Sequence, residues 1–195
     1  MRWRIIILDL ELNIYMVFSK ENITMQAVET ARLRLRMITP QDAAFIQRLY
    51  SSEDFLRYVG DKEITDAGKA VEYIENNILK MHQEKDVCLL VVEIKDSSTP
   101  IGVCGLIKRD TLESHDIGYG FVPEVYGQGF GLEAAQVIIE QAKHNADIDH
   151  LVAITTSDNI RSIALLTKLG FVFERVEEAI NESVNLNLYG LSLGN

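Results

Sequence analysis

The chain has 195 residues, of which 47% are hydrophobic and 25% are charged, and its formal net charge is −10 at pH 7. This length and composition predict a single globular domain with a substantial core. The acidic excess argues against a surface for duplex nucleic acid, because such affinity comes from phosphate neutralisation by Lys and Arg, although it does not exclude a small local basic pocket.

The cysteine and histidine usage argues against a metal site. Cys88 and Cys104 lie inside apolar runs and are predicted to be reduced core thiols, and the four histidines show no ligand spacing with them. No stretch approaches the roughly 18 to 20 uncharged apolar residues of a membrane-spanning helix. We therefore expect a cytoplasmic protein without a metal, a membrane or a nucleic acid as partner, and either a monomer or a homodimer.

Residues 1–28 form an N-terminal extension before the regular patterning. Two arginines precede an apolar run over residues 5–8, as in a signal peptide, but Asp9 and Glu11 interrupt the run and no small-residue cleavage site follows. Two interpretations stay open. The extension adds an edge strand or packs on a neighbour, or it is an upstream false start and Met25 is the initiator.

Residues 29–195 are expected to form one domain, and its first half alternates between strands and helices. RLRLRMI has the strict alternation of a half-buried strand, and Pro40 marks the start of a helix over DAAFIQRLYSS. Thr65 or Asp66 could cap the next helix, AGKAVEYIENNILKMHQE. VCLLVVEIKD and IGVCGLIKR then form a predicted antiparallel hairpin, followed by the strand HDIGYGFV.

The second half continues with helices and strands in turn. A helix is predicted from about Gly131 to His144, and a second helix over NIRSIALLTKL is closed by Gly170. LVAITT, FVFERV and VNLNLYGLSL are predicted strands. The order β-α-α-β-β-β-α-β-α-β-β predicts a mixed α/β (α+β) fold. Its central sheet would be mixed, mostly antiparallel, and covered by helices on both faces.

YGQGFGLEAA, residues 126–135, places three glycines within five positions at the start of a helix. The dinucleotide fingerprint fails because Leu132 stands where its third glycine would fall, and no Gly-Lys-Ser/Thr of a P-loop follows. A bare junction of strand, loop and helix offers free N–H groups and a partial positive charge to an anion. The alternative is a turn that merely needs positive φ. These residues alone leave both interpretations open.

FVPEVYGQGFGLEAA resembles motif A of the Gcn5-related N-acetyltransferase (GNAT) superfamily, and especially its Rim-type branch of ribosomal-protein-alanine acetyltransferase-like proteins. That motif is [Arg/Gln]-x-x-Gly-x-[Gly/Ala], and here Tyr126 stands at its first position. DNIRSIALLTKLGF is similar to the branch's Asn-x-x-Ser-Ile…Lys-Leu-Gly-Phe segment. The resemblance spans roughly residues 29–192 in element order, its motifs cover residues 117–171, and it implies a single-domain GNAT fold.

The resemblance also implies that acetyl-CoA is the co-substrate. Its pyrophosphate would be bound by backbone N–H groups of Gln128, Gly129, Phe130, Gly131 and Leu132. The N–H groups of Phe121 and Val122 would pair with the pantetheine arm as an added strand would, and Asn159 would contact the cofactor. Pro123 lacks an N–H group and fits a strand that stops pairing there.

By the same resemblance, the chain would be an N-acetyltransferase that moves an acetyl group to a primary amine by direct attack. The amine would belong to a protein N-terminus or to a small molecule. Because an alkylamine is mostly protonated at neutral pH, a base or a water relay must accept a proton. The strand before motif A offers Asp116, His115 and Glu113 as candidate bases. The alternative is that they form the polar end of a hairpin.

The candidate proton donor lies in the second motif. Many GNAT proteins carry a Tyr in that helix, but here its position holds Leu166, which cannot donate. Ser162, one turn after Asn159, is then the candidate to protonate the leaving thiolate. Alternatively, Asn159 caps the helix and Ser162 satisfies local backbone groups, and both interpretations can hold together.

Two other functions and the acceptor stay open at this point. One alternative is a catalytically inactive acyl-CoA-binding sensor or interaction module, for which the missing Tyr is the only support. In the other, the glycine loop holds another phosphate ligand such as a nucleotide. Acidic residues in the two-helix region would suit a cationic acceptor, yet they fit a solvated surface equally well. Those residues are Glu53, Asp54, Asp61 and Glu63.

Overall fold

The computed structural model describes residues 4–9, 14–18, 27–178 and 185–194, and of the first two segments the backbone alone. The strands are β1 Arg4–Asp9, β2 Ile14–Phe18, β3 Val28–Glu29, β4 Leu33–Met37, β5 Leu89–Ile94, β6 Thr99–Ile107, β7 His115–Phe121, β8 His150–Thr156, β9 Val172–Glu178 and β10 Asn185–Ser192. The helices are α1 Ala43–Tyr50, α2 Glu53–Tyr58, α3 Ala67–Tyr73, α4 Lys80–Lys85, α5 Phe130–Lys143 and α6 Ile160–Lys168.

The strands of the described residues form one sheet in the order β1-β2-β3-β4-β5-β6-β7-β8-β10-β9. Neighbouring strands are antiparallel except β7 and β8, which are parallel and joined through α5. A parallel pair needs such a helical crossover. The predicted fold class, a mostly antiparallel mixed sheet with flanking helices, is confirmed.

The parallel pair opens a gap in the sheet. β7 and β8 pair at His115↔Leu151 and at Asp116↔Val152 and then diverge, while β8 continues along β10. The second halves of β7 and β8 therefore face each other without pairing. This gap lies between the glycine loop after β7 and the start of α6 after β8.

The described part of the N-terminal extension comprises β1, β2 and the residues that lead into β3. β1 and β2 pair with each other, and β2 joins the edge of the sheet through Tyr15↔Glu29. Whether the extension is native or Met25 is the initiator stays a prediction, and Met25 lies outside the described residues.

The region between β4 and β5 differs from the sequence prediction in two ways. α2 is an additional helix of six residues in which Phe55 alone is buried, so its sequence carries little helical periodicity. The helix predicted from residue 67 is interrupted by a π-helical segment, Ile74–Leu79, between α3 and α4. Asp66, rather than Thr65, caps α3, because its side chain accepts a hydrogen bond from the Lys69 N–H at 2.9 Å.

The core lies on both faces of the sheet. α5 packs on β4, β6 and β7 and buries Ala134, Ala135 and Ile138 completely. α6 ends at Lys168, and Gly170, with φ +89°, closes the helix as predicted, because its N–H donates back to the Thr167 carbonyl at 3.1 Å.

Burial raises the pKa of both Cys88 and Cys104 to about 12, and both thiols are free. Within the described ranges no helix is long and apolar enough to cross a membrane. The same ranges contain no group of three or more His, Cys, Asp or Glu side chains that could hold a metal ion.

Candidate active site

Two cavities meet at the gap between β7 and β8. The loop cavity, of about 420 Å³, is lined by the glycine loop (residues 126–132), the end of β7 and α6. The cleft cavity, of about 770 Å³, lies between the helical region α2–α4 and strands β7 and β8. Both are lined by Phe55, Tyr58, Val59, Tyr119, Asn159 and Ser162, so a ligand that fills one reaches the other.

The glycine loop leaves the first turn of α5 open to an anion. Gly127 and Gly129 have φ of +74° and +82°, which favours glycine. The N–H of Glu133 donates back to the Gly129 carbonyl at 3.1 Å. Among the described residues, the preceding N–H groups have no acceptor, and they belong to Gly129, Phe130, Gly131 and Leu132. The N–H of Gln128 instead donates to the Val125 carbonyl at a long 3.4 Å, so four of the five predicted donors are free.

A cluster from the start of the domain holds this loop in place. Arg32 donates from Nη1 to the Gln128 carbonyl at 3.0 Å, and its guanidinium lies 4.4 Å from the centre of the Phe130 ring. Glu133 accepts hydrogen bonds from Thr30 Oγ1 at 2.5 Å and from Arg32 Nε at 2.6 Å. Burial raises the pKa of Glu133, but these hydrogen bonds outweigh it and lower the pKa overall. Sequence reasoning missed Arg32, since nothing local connects it with a loop about 100 residues away.

The prediction for the two backbone donors at the end of β7, Phe121 and Val122, needs a correction. The N–H of Val122 donates to the Ile101 carbonyl at 2.9 Å and is therefore used within the sheet. Hydrogen-bonded and non-hydrogen-bonded pairs alternate along an antiparallel ladder, so the next pair, Gly102↔Phe121, is a non-hydrogen-bonded pair. The Phe121 N–H therefore points away from β6 into the gap. The Phe121 carbonyl accepts a hydrogen bond from the Tyr126 hydroxyl at 3.2 Å. Phe121 stays a candidate donor to a ligand, and Val122 does not.

A cation from another helix lies beside the unusual Tyr126. The Arg161 guanidinium lies 4.6 Å from the centre of the Tyr126 ring, and it pairs with Asp54 at 2.5 Å. Burial, reinforced by Asp54, raises the pKa of Tyr126 to about 12, so the phenol stays neutral. Arg161 and Lys168 both line the loop cavity. α6 thus places the Arg161 guanidinium, paired with Asp54, beside the first motif position.

Of the three candidate bases, only Asp116 lines the cleft cavity. Its side chain is 2% exposed and pairs with Arg109 Nε at 2.6 Å. Burial raises the pKa of Asp116 to about 6, against the opposing effect of Arg109. His115 lines neither cavity. Its pKa is lowered mainly by burial and to a smaller extent by the charge of Lys108. Glu113 is exposed and also lies outside both cavities.

Two hydroxyl groups meet at the boundary of the two cavities. Tyr119 Oη and Ser162 Oγ are 2.9 Å apart, and burial raises the pKa of Tyr119 well above its ordinary value. Asn159 caps α6 by accepting a hydrogen bond from the Ser162 N–H at 3.2 Å. Leu166 is fully buried and takes no part. Strand alternation indicated that Tyr119 and Asp116 lie on opposite faces of β7, but not that Tyr119 reaches Ser162.

The sequence matches a family of enzymes over most of its length. The family model described as "Acetyltransferase (GNAT) domain" covers residues 32–172. The uncharacterized N-acetyltransferase YoaA of Bacillus subtilis is 30% identical over 152 residues, which are 76% of this chain and 84% of YoaA. The uncharacterized N-acetyltransferase p20 of Bacillus licheniformis is 26% identical over 173 residues, which are 86% of this chain and 96% of p20.

Solved structures share the fold at lower identity. A GNAT-family acetyltransferase from Bacillus anthracis has a TM-score of 0.73 at 18% identity, covering 87% of this chain and 100% of its own. The microcin C7 self-immunity acetyltransferase MccE, in complex with acetyl-CoA and AMP, has a TM-score of 0.74 at 20% identity, with coverages of 87% and 98%. RimL, an apo ribosomal L7/L12 alpha-N-protein acetyltransferase, has a TM-score of 0.70 at 17% identity, with coverages of 83% and 91%. The chain belongs to the GNAT acetyltransferase family and is an N-acetyltransferase.

Proposed function

We propose that the protein transfers the acetyl group of acetyl-CoA to a primary amine, on a protein N-terminus or on a small molecule. The observation that carries this proposal is the row of four free N–H groups from Gly129 to Leu132 at the first turn of α5. They face a cavity that continues through the gap of the sheet into the cleft cavity. An anionic group at one end and a reactive group at the other would fit this path.

The residues present fit the co-substrate. A Cβ atom at Gly131 would already contact the Leu165 and Phe121 side chains at 3.4 Å, so a larger residue would fill the cradle. The four N–H groups would bind the pyrophosphate, with Arg161 and Lys168 nearby, and the Phe121 N–H would hold the pantetheine arm or polarise the acetyl carbonyl. Acetyl-CoA supplies the acetyl group as a thioester, which the amine attacks directly.

Asp116 is the best supported proton acceptor. A pKa of about 6 leaves its carboxylate mostly ionised at neutral pH, and it lines the cleft cavity where an acceptor would enter. Asp116 and Tyr119 are three positions apart along β7, so their Cα atoms are about 10 Å apart. We therefore propose that Asp116 accepts the proton of the amine through water rather than by direct contact. His115 and Glu113 lie outside the cavities and are weaker candidates.

The pair of Tyr119 and Ser162 is the proposed proton donor to the leaving thiolate. A raised pKa keeps the Tyr119 phenol protonated at neutral pH, and its 2.9 Å contact lets Ser162 pass the proton on. This phenol occupies the boundary of both cavities, so the absence of a Tyr at Leu166 does not imply an inactive protein. The pair favours an enzyme over the sensor alternative.

The cleft cavity is the proposed binding place of the acceptor. Asp54 pairs with Arg161 and lines only the loop cavity. The other acids of the two-helix region, Glu53, Asp61 and Glu63, line neither cavity, so they do not support a cationic acceptor. RimL is described as acting on a ribosomal protein's α-amino group, which supports protein N-termini as one class to test. The free, buried Cys88 and Cys104 support a reducing cytoplasm as the compartment.

Calorimetry and a turnover assay test the proposal together. We expect CoA and acetyl-CoA to bind, ATP and NAD to give no heat, and a panel of peptides and amines to release free thiol with a product heavier by one acetyl group. Binding of CoA without thiol release for any amine would favour the sensor, and binding of a nucleotide instead of CoA would overturn the assignment.

A further inference from the structure

The lining of the cleft cavity has a charge opposite to that of the whole protein. The formal net charge of the chain is −10. Five cationic side chains line this cavity, and they are Arg57, Lys62, Lys80, Lys85 and Arg109. Among the described residues, two acidic side chains, Glu84 and Asp116, line it with them. A locally positive cavity in an acidic protein calls for an explanation beyond composition.

Some of these cations already have partners. Arg57 pairs with Asp158 at 2.8 Å, and Lys85 Nζ pairs with Asp110 at 2.6 Å. Lys80 lies 3.9 Å from Glu84, at the limit of an ion pair. Lys62 has no ion-pair partner among the described residues. The phosphates of the co-substrate do not account for the cations of the cleft cavity that lack a close partner, because the proposed phosphate site lies in the loop cavity.

Arg109 differs from the lysines because one edge of its guanidinium is fixed. Its Nε donates to the buried carboxylate of Asp116 at 2.6 Å. Within the described residues its two Nη atoms have no acceptor, and the side chain is 41% exposed on the cavity wall. An arginine fork held in this way matches a carboxylate or a phosphate oxygen pair with little loss of freedom.

We propose that the acceptor carries an anionic group, a carboxylate or a phosphate, which Arg109 binds through its Nη edge while Asp116 positions the guanidinium. Lys62 and Lys80 attract such an acceptor from the rim. This inference rests on the proposed function, since it names the acceptor of the same site. The anion would lie about 10 Å from the Tyr119 end of the cavity, which is the span of about three residues of extended peptide.

Matched acceptors test the inference in the unaltered protein. One set is the C-terminally amidated hexapeptides with Ala at every position except the third, which is Glu, phosphoserine or Gln. A second set is 6-aminohexanoate, 6-aminohexanamide and spermidine. We expect kcat/KM for an anionic acceptor to exceed that of its neutral match by about 10- to 100-fold, as for charge-assisted hydrogen bonds. The Glu and phosphoserine peptides distinguish carboxylate from phosphate.

Variants then assign the preference to Arg109. Arg109→Gln should reduce the ratio of anionic to neutral acceptor to near one, and Arg109→Lys should retain only part of it because the fork is lost. Lys69→Gln removes one positive charge from the outer surface of α3, away from both cavities, and should leave the ratio unchanged. Calorimetry of the peptides in the presence of CoA should give the same order of affinities without turnover.

Each outcome has a defined meaning. Equal kcat/KM for neutral and anionic acceptors, or a preference for spermidine, overturns the inference while acetyl transfer itself persists. Failure of every amine together with failure of acetyl-CoA to bind rejects the proposed function instead. Thermal unfolding and acetyl-CoA affinity show whether the Arg109 variants are folded. If neither variant folds, the ratio measured for the unaltered protein still decides the acceptor class.

Discussion

The two cavities of this protein are built in different ways. One wall of the loop cavity is a continuous stretch, the end of β7 and the glycine loop, where glycines at positive φ expose four N–H groups, and residues of α2 and α6 complete the lining. The cleft cavity is formed by side chains from α2–α4, the β6–β7 connection, β7 and β8, which are far apart in the sequence. Under the proposed function, the first cavity would bind the CoA thioester, whereas the second would select the acceptor. Substitutions in the loop cavity should therefore change acetyl-CoA affinity, and substitutions in the cleft cavity should change turnover and acceptor choice.

The largest effect should come from Tyr119→Phe, at the boundary of the cavities. Removing the proposed proton donor should lower kcat by about 100-fold or more, while the Kd of acetyl-CoA stays within about twofold. Steady-state kinetics and calorimetry measure the two quantities. Ser162→Ala should add little to Tyr119→Phe, since both hydroxyls belong to one pair. Tyr189→Phe, which also removes a buried phenol but lines neither cavity, is the control. An equal loss in affinity and kcat would contradict the assigned role.

Gly129→Val should give the next largest effect and should act on the loop cavity alone. The substitution places a branched side chain at φ +82° and beside the four N–H groups, so the Kd of acetyl-CoA should rise by about 10- to 100-fold. Gly194 has φ +66° with nothing within 4 Å of an added Cβ, so Gly194→Val has comparable backbone strain without touching the cradle. If both variants lose affinity equally, general strain rather than the cradle is responsible.

The pH dependence should sharpen the description of the cleft cavity. Since burial raises the pKa of Asp116 to about 6, kcat should rise tenfold per pH unit below about pH 6 and then level off. Asp116→Asn should remove this limb of the kcat profile. A profile that keeps its limb in Asp116→Asn would exclude Asp116 as the base and would return attention to His115.

The same raised pKa of Asp116 predicts that stability falls over the pH range in which kcat rises. Folding favours the neutral form of Asp116, so this group's contribution to stability is present below its ordinary pKa of 3.8 and is lost as the pH rises through about 6. Thermal unfolding of Asp116→Asn should therefore lack that decline relative to the unaltered protein. An unchanged decline would show that other groups are responsible for it.

Arg161→Gln should have the smallest effect of this series. Its side chain is 58% exposed, so the charge is well screened and its loss should raise the Kd of acetyl-CoA by about two- to fivefold. The difference from the unaltered protein should shrink at high salt. Lys143→Gln is the matched control, because Lys143 is the last residue of α5 and lies at the end away from the glycine loop. This substitution should leave the Kd unchanged. A loss that is independent of salt would mean that Arg161 acts through packing on Tyr126.

Sequence reasoning was reliable where the information is local. Alternation and helical periodicity predicted most strands and helices, and the glycine pattern predicted the loop whose N–H groups are free at the first turn of α5. It was less reliable where local signals are weak or misleading. α2 has a single buried residue, so it shows little periodicity. The π-helical segment between α3 and α4 cannot be recognised from the hydrophobic pattern. The Val122 N–H was predicted to bind a ligand because the sequence does not reveal which N–H groups at the end of β7 pair with β6.

The sequence by itself determined the family, the fold class and the loop cavity, because glycines, caps and hydrophobic periodicity act over a few neighbouring residues. The tertiary structure alone decided the side-chain chemistry: Arg32 holding the loop, Tyr119 meeting Ser162, and Arg109 meeting Asp116. Arg32 and Tyr119 reach their partners across the fold, where no local pattern can indicate the contact. Arg109 and Asp116 are near neighbours in the chain, yet only burial against the helical region turns their pair into part of a cavity wall.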